Sequence, residues 1–299
     1  MIVLTLFGCG AGASPAVMPR AEAPRDFWAH WGDGKAELDG YAYTARRYGE
    51  LRTGEEIQVW VTEDFTAGQL VKSDGGHGDE FPVLKLNDIR RFQTGIYDYH
   101  LLQSVFVRAD GQQALGLPVK EVLSVDEWCG AAFEELVVRD GTVHGVRHSY
   151  FDGEGDRTWD DERIPAMAVM ADALPYLARG LLGDPVAPGA SVSVQLRLSQ
   201  IDQRLAHREP AWVPATLSRA AELGPIEVPA GTFEVRRFEV VVDDPACASA
   251  KGIAADGTTC RATWWVEEAA PHRIVRWSRD NGEDAVLTGS FRGAYWSMH

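Results

Sequence analysis

The chain has 299 residues, 24% of them charged and 45% hydrophobic, proportions of a folded protein long enough to bury a sizeable core. A formal charge of −15 excludes a sequence-independent nucleic-acid binder, which needs clustered Lys and Arg, and offers no electrostatic attraction to anionic lipid. The sequence contains no run of about 20 apolar residues, the length a transmembrane helix requires.

The first stretch, MIVLTLFGCGAGASPAV, admits two readings. In one, an apolar strand Ile2–Phe7 runs into Gly8-x-Gly10-x-x-Ala13, the outline of a dinucleotide-binding turn. Such a turn must open a helix whose N–H groups hold the pyrophosphate. Here Pro15, Pro19 and Pro24 follow, each costing about 3 kcal/mol inside a helix, and no strand–helix alternation comes after them. In the other reading, Leu6 and Gly8 before Cys9 resemble the lipobox of bacterial lipoproteins, and the small residues and prolines of Gly10–Arg25 form an extended tether. The resemblance implies removal of residues 1–8 and acylation of Cys9, palmitate included, with several chains giving stable membrane anchoring where one is marginal. Phe7 is bulky for its place, and no Lys or Arg precedes the short apolar stretch, so the true start is expected upstream. Gly10 after the cysteine resembles the outer-membrane sorting pattern. The expected location is therefore the cell envelope, in the outer membrane facing periplasm or cell surface.

A single large β domain is expected from Asp26 to the C-terminus, the alternative being two lobes meeting near residues 163–190. Its first segment, FWAHWGDG, sets His30 and Asp33 among aromatics, making Trp28, His30, Trp31 and Asp33 candidate ligand-binding residues; the plainer account is packing around glycine turns. Glu56–Val61 and Val83–Leu86 read as strands, and Phe133–Tyr150 as a hairpin turning at Asp140-Gly141. On such a strand His144 and His148 share a face but stand roughly 13 Å apart, too far for one zinc ion. The run Asp152-x-Glu154-x-Asp156 fails the EF-hand template at Arg157 and Arg163. Asp152, Glu154 and Asp156 remain candidate metal ligands of a looser loop, against a solvated acidic turn. A helix is expected in ADALPYLARGLLGDP, capped by Asp172, with Pro175 in its first turn and Gly183 and Pro185 ending it. Ser191–Ser199, Thr232–Val242, Ala262–Glu267, Arg273–Ser278 and Ala285–Phe291 continue the strand series. The pattern is all-β and mainly antiparallel: a large curved sheet, sandwich or half-barrel with one or two short helices.

Cys247 and Cys260 bound a loop between two predicted strands and are expected to form a disulfide, worth about 3 kcal/mol in the chain-entropy model and requiring an oxidising compartment. Cys129 is expected to be a buried, inert thiol rather than a nucleophile. The ten Trp are expected mainly in the core, with an exposed platform for sugars as the alternative. No Gly-x-Ser-x-Gly elbow or phosphate loop occurs, and among 44 acidic residues a carboxylate pair carries little information. Catalysis is not expected, nor is a cofactor.

The segments GPIEVPAGTFEVRRFEV and ATWWVEEAAPHRIVRWS resemble a bacterial envelope family, the domain-of-unknown-function family 3108, over roughly Asp184–Trp296. The resemblance implies an extended antiparallel sheet curved around an apolar face and a helix, akin to periplasmic lipoprotein carriers, and it supplies no catalytic residues. The expected function is a non-enzymatic envelope lipoprotein that binds an apolar ligand or an envelope partner on a curved sheet. The alternative is a carbohydrate-binding or glycan-modifying protein using exposed Trp and acidic side chains.

Overall fold

The computed structural model describes residues 17–244, 246–247 and 259–298; Cys9, the expected lipidation site, lies outside them. In chain order, β1 (Arg20–Glu22) and α1 (Phe27–Trp31) precede four long strands: β2 (Ala36–Arg47), β3 (Glu50–Thr66), β4 (Glu80–Thr94) and β5 (Tyr97–Arg108). Then come β6 (Asp110–Ala114), β7 (Lys120–Glu127), β8 (Gly130–Arg139), β9 (Thr142–Ser149), β10 (Arg157–Arg163) and β11 (Ala168–Met170). Helix α2 (Leu174–Arg179), β12 (Ser191–Arg197) and α3 (Gln200–Ala206) lead into β13 (Trp212–Arg219) and β14 (Gly224–Val228). The chain ends with β15 (Gly231–Asp243), β16 (Thr259–Glu267), β17 (Ile274–Arg279) and β18 (Asp284–Gly293).

All of these strands except β1 and β6 belong to one 16-stranded sheet, ordered β10-β9-β8-β7-β5-β4-β3-β2-β18-β17-β16-β15-β13-β12-β11, with β14 on β15. Its ladders are antiparallel apart from β11 on β12. The first and last strands of the meander meet in the β2–β18 ladder, from Ala36↔Gly293 to Thr44↔Asp284. The sheet is curved and not closed. Its two edges nevertheless approach one another: Arg197 of β12 donates to Glu162 of β10 at 2.7 and 3.2 Å. Leu117, Leu136, Val138, Val143, Ala168 and Met170 fill the seam between them.

Period-2 alternation sets the concave face, as in β5, where Tyr99, Leu101, Gln103, Val105 and Val107 are buried. Helix α2 lies within the curve. The Tyr176 hydroxyl reaches the carbonyls of Leu84 (3.0 Å) and Val105 (2.7 Å), and its ring stands edge-on to Trp60. The helix stops at Gly180, whose φ of 67° ends it before the expected Gly183. Asp172 does not cap α2; its carboxylate accepts the Gln200 N–H at 2.9 Å and so serves α3, a helix absent from the sequence expectation. The tether reading also runs too far. Met18 and Ala21 are buried, β1 pairs with β6, and Leu115 N–H donates to Pro19 O at 2.7 Å, because extended Pro/Ala backbone can still accept from a neighbouring strand.

The hairpin at Asp140-Gly141 forms as expected, both residues having positive φ (50° and 75°). In β9, Gly145 makes room for an aromatic: a Cβ there would sit 2.0 Å from Cζ2 of Trp159 on β10. Gly145→Ala is expected to expel Trp159 from the seam and cost about 1–3 kcal/mol, read as a lower urea midpoint. An unchanged midpoint would show that Trp159 does not secure this edge.

Candidate functional site

A cavity of about 670 Å³ lies inside the curve, walled by β3–β5 on one side, β15–β17 on the other, and α2 and α3 above. Leu86, Val105, Leu174, Ile201, Val240 and Trp264 give it an apolar lining. The inward faces of these strands also carry charge, and that charge is mutually compensated. Arg90 grips Asp88 through two nitrogens (2.6 Å at the closest) and lies 4.9 Å over the Trp277 ring. Arg279 donates to Asp202 (2.5 Å) and Glu283 (3.2 Å), and Glu283 also accepts the Tyr43 hydroxyl at 3.0 Å. Glu56 accepts from Trp277 Nε1 (2.9 Å) and Gln58 Nε2 (2.7 Å). Burial, with the nearby Asp88 charge, pushes the Glu56 carboxyl up to about 8.

Deeper in the fold a second polar layer adjoins the cavity through Gln103 and Asp172. Gln103 donates to Gln200 (2.7 Å), and Gln200 to Glu134 (2.9 Å). Glu121 is 1% exposed, and among the described residues neither of its carboxyl oxygens has a hydrogen-bond partner. Burial and the neighbouring Asp172 hold the Glu121 carboxyl well above the usual range, and burial takes Asp172 up to about 6. On β2, burial and the adjacent Glu37 push Asp39 up to about 7.

The mouth opens where the β2–β3 turn (Arg46, Arg47, Tyr48 and Gly49) faces Arg208 and Asn281. The Cys247–Cys260 disulfide forms as expected and lines this mouth. Arg46 donates to the backbone carbonyls of Asn281 and Gly49, and Arg47 to Tyr99 OH, Leu205 O and Tyr48 OH. Both guanidiniums thus spend their donors on neutral oxygens, in contrast to Arg90 and Arg279 inside.

The residues picked out from sequence lie elsewhere. Trp31 is buried at the opposite end of β2, between Arg179 (5.4 Å) and Arg292 (5.1 Å), and its carbonyl accepts from Thr62. Asp33 pairs with Arg292 at 2.7 Å, and burial and Arg292 lower the His30 pKa. Trp28 points partly to solvent. This segment packs one end of the sheet and is not part of the cavity. Glu154 is taken up by Arg204 (3.3 Å), His207 (2.7 Å) and the Ser149 hydroxyl (2.6 Å), while Asp156 faces His148 at 3.3 Å. Asp152, Glu154 and Asp156 do not converge on a common point, and among the described residues no group of three or more His, Cys, Asp or Glu could hold a metal ion. His144 pairs instead with Asp160 at 3.2 Å. Cys129 is exposed, contrary to the expected burial, because it sits on the turn between β7 and β8. Of the exposed Trp, Trp28 and Trp296 lie at one end of the sheet and Trp128 at the other.

The buried acids were missed although their phase is visible. Glu37 and Asp39 alternate in step with Tyr41, Tyr43 and Ala45, and Glu56 and Gln58 with Trp60, so the acids had to face inward with the aromatics.

No family model and no curated protein matches the chain. Among solved structures, a crystal structure of a DUF1089 family protein from Pseudomonas aeruginosa is similar at a TM-score of 0.30 and 14% identity, covering 54% of this chain and 78% of that one. A similarity of this size carries no argument about fold or function.

Proposed function

We propose that the protein is a non-enzymatic binder of an amphipathic small molecule, whose apolar body occupies the interior cavity and whose polar end lies at the Arg46–Arg47 mouth. The observation that carries this reading is an apolar-walled space of about 670 Å³ whose internal charges are already paired, leaving apolar surface to be filled. That volume falls in the range of small-molecule sites, roughly 300–1,000 Å³. Protein purified without detergent is expected to release a small apolar compound in native mass spectrometry. Ala262→Phe, which fills the cavity from β16, is expected to remove it. Protein that is always empty, and that binds no fluorescent fatty-acid probe, would refute the reading.

As part of this proposal the protein is an envelope lipoprotein attached through Cys9. Cys9→Ser in the full-length chain is expected to abolish incorporation of labelled palmitate into the protein. Labelling that persists in this variant would overturn the anchor.

A further inference from the structure

Hairpin turns of a meander alternate between the two ends of its sheet. The closing pairs Arg47↔Glu50, Thr94↔Tyr97 and Glu127↔Gly130 place the β2–β3, β4–β5 and β7–β8 turns at one end, and Ala132↔Ser149 brings the segment after β9 to the same end. Each tip carries a large side chain turned to solvent: Tyr48 is 60% exposed, Ile96 80%, Trp128 66% and Tyr150 70%. Turn positions are ordinarily filled by Gly, Asn, Asp or Ser, as at Asp140-Gly141 on the opposite end.

The tips form one continuous rim. Tyr97 OH donates to Tyr48 OH at 3.2 Å, and the Tyr97 and Trp128 rings are 6.3 Å apart. The Tyr150 ring lies over Gly130, on the turn that carries Trp128, and meets Phe151 at 5.5 Å. The cavity opens on this rim, since Arg46–Gly49 belong to both.

We propose that this rim docks onto the interfacial zone of a lipid bilayer, setting the cavity mouth against the acyl layer. Tyr and Trp suit that zone because one part of the ring system is apolar and the other hydrogen-bonds at headgroup level. Single side chains projecting from separate tips suit insertion between lipids better than the packed central cluster of a protein interface. Arg46 is the basic side chain of the β2–β3 turn that is not buried, but Glu50 and Asp98 lie on the same rim and the chain carries −15. Attachment therefore comes from insertion, so neutral lipid suffices and salt does not weaken it. The exchange of a ligand with the bilayer rests on the cavity reading; the docking does not.

The test uses the full-length chain carrying Cys9→Ser, so that no attached lipid contributes. It is expected to float with phosphatidylcholine vesicles in high salt, with Trp emission quenched by brominated phosphatidylcholine. The exposed-residue variant Ile96→Ser/Trp128→Ser, its circular dichroism unchanged, is expected to lose partitioning by roughly tenfold or more. Ala262→Phe is expected to float like the parent, which separates docking from ligand binding. The proposal is overturned if the parent does not float, if it floats only with phosphatidylglycerol present and is released by salt, or if the double variant floats equally well. Self-association in sedimentation velocity that the same substitutions abolish would assign the rim to a second copy of the chain instead.

Discussion

The unfolding free energy is expected to fall as the pH rises from about 5 to about 8, by roughly 2 kcal/mol or more. Asp172, Asp39 and Glu56 are pushed up to about 6, 7 and 8, by burial first and, for the last two, by Glu37 and Asp88 respectively. Burial raises Glu121 and Glu134 as well. A carboxyl whose folded pKa exceeds its unfolded value holds its proton more tightly in the native chain. The native state then binds more protons than the unfolded one, and stability falls with rising pH from the unfolded values near 4 until the folded values are passed. At still lower pH the sign reverses, because Asp110, held below the ordinary range chiefly by its hydrogen bond from Arg108 against the cost of burial, must then be protonated. Urea denaturation across this range checks the slope. Glu56→Gln should flatten its upper part and Asp172→Asn its lower part, since their folded pKa values mark those ends. A stability that is flat, or that rises from pH 5 to 8, would contradict the upward shift that burial gives these carboxyls.

Removal of the Arg179 charge is expected to cost about 3–5 kcal/mol. Arg179 has a fully buried side chain on α2, 2.8 Å from Glu37 of β2. It also donates to Pro271 O at 2.9 Å and lies 4.5 Å over the Trp60 ring. Arg179→Met keeps the packing volume and strands Glu37 beside Asp39, two carboxylates with no cation between them. The double variant Arg179→Met/Glu37→Gln is expected to recover much of the loss, because both members of the pair then leave the core together. Since Arg179 also holds the Asp39 pKa down, the single variant should steepen the pH slope as well. A loss below about 1 kcal/mol, or single losses that simply add in the double variant, would mean that the pair does not lock α2 to the sheet.

How much of this was legible differs from element to element. Ser191–Ser199 alternates cleanly, Asp140-Gly141 marks a tight hairpin, and Cys247 and Cys260 flank one inter-strand loop, so β12, the β8–β9 hairpin and the disulfide could be read directly. Strands β5 and β7 escaped notice because polar residues interrupt their apolar phase: Gln103 in one and Glu121 in the other occupy inward positions. Asp172 looked like a cap for the helix that follows it, and it caps α3 instead, since a carboxylate is claimed by whichever N–H the packed chain brings within reach.

By itself the sequence determined the class of fold, through period-2 alternation, turn residues and cysteine spacing, all of which act over a few neighbouring residues. It also determined the inward phase of Glu37, Asp39 and Glu56, though a strand's alternation does not say which face becomes concave. The tertiary structure alone decided that. Curving the sheet enclosed an apolar cavity, buried acids on its inward faces, and brought Arg197 to Glu162 across the seam, while Tyr48, at the cavity mouth, shares one end of the sheet with Ile96, Trp128 and Tyr150. Those groupings join residues from distant strands, and only strand order and register place them together.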